Sequence, residues 1–170
     1  VPGDIRILGT GQLLDLQRKL RTAGHENLRS NMQRRIRRAA EPLRDDLQDS
    51  IRSLNIVSPG RKAGKRGGPS PTTRPLRATI AEAIRISVRT TGDPGAKVWI
   101  DRSRLPPDIK NGLIKQLDDG RLRHPVFGNR KRWAQQDAPP GWWTKTVRQH
   151  TPRMEREVAR VVDDVKRRIE

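Results

Sequence analysis

Residues 77–90 read RATIAEAIRISVRT. The stretch changes period partway through. Ala78 to Ala83 has the spacing of a helical turn, whereas Ile84, Ile86 and Val88 alternate with Arg85, Ser87 and Arg89. Strict alternation places one set of side chains on a single face of a strand and turns the charged set away from it. The TGDPGA turn follows, then a second short apolar stretch, KVWID at 97–101, so the segment is predicted to form a β-hairpin with Trp99 near its end. A sheet at this point decides the fold class, because the chain on either side is helical in pattern.

Upstream, Leu13, Leu16, Leu20, Ala23, Leu28, Met32, Ile36, Ala39, Leu43, Leu47, Ile51 and Leu54 recur mostly every three or four residues. That is the apolar stripe of a long amphipathic helix, predicted over 12–54. Gly24 is expected to be tolerated inside it. Pro42 lacks an N–H and crowds the preceding turn, so a kink or break is expected at 40–42. A helix of this length would reach about 60 Å at 1.5 Å per residue, which suits packing against another chain or projection from the domain. Downstream, a short helix is predicted within 104–120, opened by LPPD, faced with Ile109, Leu113, Ile114 and Leu117 and stopped by Gly120. Short strands are predicted at HPVFGN and RKRW. A last helix over 144–169 is capped by Thr144 and striped by Val147, Thr151, Met154, Val158, Val161, Val165 and Ile169, with a restart expected at Pro152. The predicted architecture is a single α+β domain over 1–170. Long N- and C-terminal amphipathic helices pack with a small antiparallel β-sheet built within 78–143.

Between the first helix and the hairpin lies NIVSPGRKAGKRGGPSPTTRPLR, residues 55–77, with six Lys/Arg, no acid and repeated Gly and Pro. This composition predicts a mobile basic loop. Deleting residues 60–73 is therefore expected to leave thermal unfolding cooperative, and loss of a cooperative transition would contradict the loop assignment.

The 170 residues carry 37 Lys/Arg against 19 Asp/Glu, a net charge of +18. That charge attracts polyanions such as DNA, RNA or acidic protein surfaces. Only 32% of residues are apolar, against about 45–50% with Gly counted in an ordinary domain, so the core is expected to be small. There is no Cys, which excludes disulfides and thiolate metal sites. No apolar run reaches the ~18 residues of a membrane span, and the first residues lack the pattern of a secretory signal.

Catalysis has little support in the residues. The three His, at 25, 124 and 150, are scattered and lie outside any ligand motif. The paired acids Asp45-Asp46 and Asp163-Asp164 fall on polar helix faces, where pairing with nearby Arg accounts for them. No catalytic residue, no metal site and no cofactor is expected. Nucleic-acid binding is favoured by the arginines at 34, 35, 37 and 38, by the basic loop, and by Arg121, Arg123, Arg130, Lys131 and Arg132 around the aromatic cluster. No helix-turn-helix, zinc-finger, RNP or KH pattern accompanies them.

The chain has no Tyr, one Phe and four Trp, and the Phe and three of the Trp fall in HPVFGNRKRWAQQDAPPGWWTK, residues 124–145. Such a cluster is a core anchor, a stacking platform for bases, or a contact surface for another protein. Together with the last helix it resembles the C-terminal half of the neck, or tail-completion, proteins of long-tailed bacteriophages. This is the gene-ten-like head–tail connector family, related to lambda's minor tail protein Z. The resemblance rests on the turn at His124–Gly128, on Trp133, on Pro140–Thr144 and on the amphipathic helix Val147–Ile169. It is close over 122–169 and looser over most of the chain.

The resemblance implies a structural virion protein at the head–tail neck, made in the host bacterial cytoplasm. It implies a homo-oligomeric ring, usually six-fold, around the DNA channel, with the neighbouring connector or stopper, tail terminator and tail tube as partners. Non-specific contact with genomic DNA is compatible with it, and no membrane is involved. On this view Arg61, Lys62, Lys65, Arg66, Arg130, Lys131 and Arg132 face the channel or a partner ring. Phe127, Trp133, Trp142, Trp143, Val147, Met154, Val158 and Val161 serve as structural anchor or interface. The rival expectation is a non-enzymatic DNA-binding protein that uses a diffuse basic surface.

Overall fold

The computed structural model describes residues 4–8, 11–22, 24, 26–57, 75–89, 95–110, 112–126 and 129–169. The elements run β1 (Asp4–Leu8), α1 (Gly11–Thr22), α2 (Glu26–Ser53), α3 (Leu76–Glu82), β2 (Ile84–Arg89), β3 (Gly95–Ile100), a 3₁₀ turn (Arg102–Arg104), α4 (Pro107–Lys110), α5 (Leu113–Asp119), β4 (Arg121–Val126), β5 (Asn129–Asp137) and α6 (Thr144–Ile169). The fold is mixed α+β, with long helices toward both ends of the chain and small antiparallel sheets between them.

The hairpin read from the alternation is present. β2 pairs antiparallel with β3, Ile84 opposite Ile100 and Ile86 opposite Val98. The inward face of the pair carries Ile84, Ile86, Ala96, Val98 and Ile100, all buried. Two features differ from the sequence expectation. β1 adds to the far side of β3, making a three-stranded sheet in the order β1-β3-β2, and β4 with β5 forms a separate two-stranded sheet. β1 escapes a local reading because its partner strand lies some ninety residues away and its five residues carry only a short alternation.

α2 is the central element. It packs on α6, α3, β2, β3 and α1, and Met32, Ile36, Ala40, Leu43, Leu47 and Ile51 are almost completely removed from solvent. Its stripe finds partners within the chain, whereas the sequence expectation is packing against another chain or projection from the domain. The first helix is also not one rod of 12–54. It divides at Gly24, whose φ of 69° is left-handed. A left-handed residue ends a helix readily when it is Gly, which carries no Cβ penalty.

The break expected at Pro42 is absent, and α2 runs through it. The carbonyl freed by the missing N–H belongs to Arg38, an exposed residue opposite the buried stripe, where water can solvate it. The restart expected at Pro152 is also absent. α6 is continuous from Thr144 to Ile169, and Pro152 is again on an exposed face. The short helix expected within 104–120 is divided into the 3₁₀ turn, α4 and α5, with α5 closed by Gly120. Gly120 has φ 85°, and a Cβ there would come within 2.8 Å of the Ala138 carbonyl oxygen.

α2 and α6 run antiparallel, fixed at three levels. Ser50 Oγ donates to the Trp142 carbonyl, His150 meets Asp46, and Arg35 donates to Asp164 at 2.6 Å. Asp164 also accepts from Arg167. The two guanidiniums hold its carboxyl below the ordinary carboxylate value of 3.8. A depressed pKa contributes stability that is present above the unfolded value and is lost as pH falls through the folded one. Asp164→Asn is therefore expected to lower the melting temperature at neutral pH, and the difference from wild type should shrink as pH falls below about 4. Thermal melts of both proteins across pH 2–7 check this. A gap that stays constant to the acid end would contradict it.

Candidate interaction surface

The sequence expectations converge on 121–144, so the geometry there is built from the residues outward. Leu117 and Leu122 are buried, and they fix α5 and the start of β4 against the core. Asp118, between them, is 8% exposed. Its carboxylate accepts from the backbone N–H of Trp143 at 2.8 Å and of Thr144 at 3.1 Å, and from the Thr144 hydroxyl. Gly141 N–H donates to the Asp118 carbonyl at 2.7 Å. The first N–H groups of a helix have no partner within the helix, and a carboxylate there also complements the positive end of the helix dipole. Thr144 was expected to cap α6. The capping group is instead Asp118 from another element, and Thr144 donates to it. Capping residues are ordinarily recognised immediately before the helix, so a cap from 25 residues upstream leaves no local signal.

Trp142 and Trp143 are 4% and 3% exposed. Their rings meet edge to face, centroids 5.6 Å apart at 77°. The Trp142 carbonyl accepts from Ser50 of α2 and from Thr146, so the start of α6 is pinned to α2. Met154, Val158 and Val161 continue along the buried face of α6, and Val147 is partly buried beside them.

Trp133 is different. It is 50% exposed, outside the core that holds Trp142 and Trp143. It sits on an arm made of β4 and β5, which pack on each other, with β4 also packed on α5. The arm is anchored at its base and by the Arg123 N–H, which donates to the Gln116 side chain of α5 at 2.9 Å. Val57 and Asp137 exchange two backbone hydrogen bonds of 2.8 Å, and Ala138 N–H donates to the Gly120 carbonyl. An open hollow of about 570 Å³ lies here, lined by Asp119, Gly120, Arg121, Asp137, Ala138 and Pro140. Toward the tip, Asn129 to Trp133 are all exposed, which brings Arg130, Lys131 and Arg132 together in solvent. Lys131 N–H donates to the Asn129 side chain. The Trp133 indole N–H donates to the Arg130 carbonyl at 2.9 Å, and the Arg123 guanidinium lies 5.4 Å from the Trp133 ring centre.

Phe127, Arg61, Lys62, Lys65 and Arg66 lie outside the described residues, as does most of the loop expected over 55–77. A second basic patch stands on α2, where Arg34, Arg37 and Arg38 are exposed and form no ion pair among the described residues. Among the described residues no group of three or more His, Asp or Glu is placed to hold a metal ion. No helix among them is long and apolar enough to cross a membrane.

No protein-family model, no curated protein and no solved structure matches the chain.

Proposed function

We propose that the chain is a structural protein of the bacteriophage head–tail junction. In this reading it forms a ring around the DNA channel that joins the head connector to the tail terminator and tail tube. The observation that carries the reading is the β4–β5 arm. It holds the tail-completion-like segment's Trp133 and three consecutive cations outside the core, while the PGWWT segment anchors α6 beneath it. A rigid body with an anchored arm suits a protein that is held by its neighbours. Because the apolar stripes of α2 and α6 are filled within the chain, contacts between subunits fall to the arm and to the outer helix faces. A ring needs a heterologous contact, one surface of a subunit against a different surface of the next, that closes by rotation. The charge is suited to a channel lining, where diffuse phosphate contacts position a duplex without reading it.

The second reading, a non-enzymatic DNA-binding protein, is favoured by Arg34, Arg37 and Arg38, three exposed guanidiniums within about one helical turn and without an acidic partner among the described residues. Fluorescence anisotropy of a labelled duplex separates the two readings. In the neck reading, binding at low salt is indifferent to sequence and is gone by about 300 mM salt, as counterion release requires. Binding that survives that salt, or a preferred sequence, supports the second reading.

A further inference from the structure

The arm has two faces, and its register assigns them. Arg121 stands opposite Asp137, Arg123 opposite Gln135 and Pro125 opposite Trp133. Directly opposed residues of an antiparallel pair share a face, and residues two apart on one strand do too. One face therefore carries the exposed Arg121, Arg123, Trp133 and Gln135, with Asp137 opposite Arg121 at its base, while the register shift at Pro125/Val126 leaves 130–132 outside this alternation. The other begins with the buried Leu122 and is turned to the core at its base.

We propose that the exposed face is a binding site for single-stranded nucleic acid. Trp133 stacks against a base, and Arg121 and Arg123 contact the phosphates beside it. Three observations support this. First, the only hydrogen-bond donor of the Trp133 side chain is already used on the Arg130 carbonyl, so what it offers a partner is the ring surface. Second, Arg123 steadies that ring from within the same face, and half of the residue is still open to solvent. The platform exists before a ligand arrives, which lowers the ordering cost of binding. Third, the two strands and their connection, residues 121–137, contain five Lys/Arg and a single acid, Asp137 at the base, so the partner is anionic.

Ring surface and cations together select the ligand. A duplex offers phosphates but keeps its bases stacked on one another. An acidic protein segment offers carboxylates but no planar group for the indole. A single strand offers both, and aromatic stacking on its bases is tolerant of sequence. The proposal does not rest on the assignment to a phage ring.

The test uses the full chain, a fluorescein-labelled oligothymidylate of about 12 nucleotides and a duplex of the same length, followed by anisotropy. Trp133→Ala is expected to weaken single-strand binding about tenfold or more, whereas Trp133→Phe stays within about threefold of wild type. Neither change should alter duplex affinity or the melting temperature, because Trp133 lies outside the core. Arg121→Glu combined with Arg123→Glu should weaken both ligands. Equal oligothymidylate binding by wild type and Trp133→Ala overturns the proposal, and so does the absence of binding by wild type at low salt. If polyglutamate displaces the oligonucleotide as well as unlabelled oligothymidylate does, and the Trp133 variants are indifferent, the face is an acidic-protein contact and the proposal fails.

Discussion

Trp142→Ala is expected to lower the free energy of unfolding by about 3–5 kcal/mol, the range for truncating a large buried aromatic. Trp142 is 4% exposed, and its ring closes the junction between α2, α6 and the segment after β5. The substitution removes the buried ring and the edge-to-face contact with Trp143, a contact contributing about 0.5–1.5 kcal/mol beyond area. The cavity it leaves is bounded by helices already fixed by other contacts, so little of it can collapse. Trp142→Phe separates shape from polarity. The Trp142 indole N–H is buried and has no hydrogen-bond partner among the described residues, and leaving such a donor unsatisfied costs about 1–3 kcal/mol. Phe discards that donor while retaining much of the ring, so its penalty should be well below that of Ala. Urea denaturation of the three proteins with a common m-value gives the comparison. Equal losses for Phe and Ala would show that the indole is not held as described.

Asp118→Ala is expected to cost about 2–4 kcal/mol, since it strands the donors at the start of α6 and an unsatisfied buried donor alone costs about 1–3 kcal/mol. The Trp143 N–H is the most consequential of these, because its residue is 3% exposed and water cannot replace the carboxylate. Asp118→Asn keeps one oxygen as an acceptor for the two backbone donors and should recover part of the loss. It loses the negative charge at the helix N-terminus. A change below about 0.5 kcal/mol for Asp118→Ala, the size of an ordinary surface substitution, would contradict the capping role.

These two residues mark what was legible in the sequence and what was not. Ile84, Ile86 and Val88 announce a strand because alternation is a local property, and the stripes of α2 and α6 announce helices for the same reason. The Trp142–Trp143 pair after Pro-Pro-Gly reads as an anchor at a helix start, and the two side chains are buried there. The errors come from features whose outcome depends on surroundings. Pro42, half-buried, and Pro152, exposed, lie off the buried stripes that hold these long helices, and tertiary packing outweighs the local cost of an absent hydrogen bond. Gly24 has no such packing and takes the left-handed turn that separates α1 from α2. β1 and Asp118 each depend on a partner distant in the chain, so no short window contains their signal. Trp133 shares its segment with Trp142 and Trp143 in sequence, but the β5 strand carries it away from them onto the exposed face of the arm.

The two basic patches were also only partly legible. Charge density alone indicates a polyanion partner, and the residues at 34–38 and 130–132 stand out in the sequence on that ground. The grouping of Arg121 and Arg123 with Trp133 required the register of β4 on β5. A register shift of one residue would have put Trp133 with Leu122 on the inward side.

We propose that this chain is a component of the phage neck. The most direct test is immunogold electron microscopy of purified virions whose genome encodes the chain, using antibody raised against the full protein. The expected result is gold at the head–tail junction of intact particles, with capsid faces and distal tail unlabelled. Particles from which the chain is absent, or label confined to the head interior with the DNA, would contradict the account.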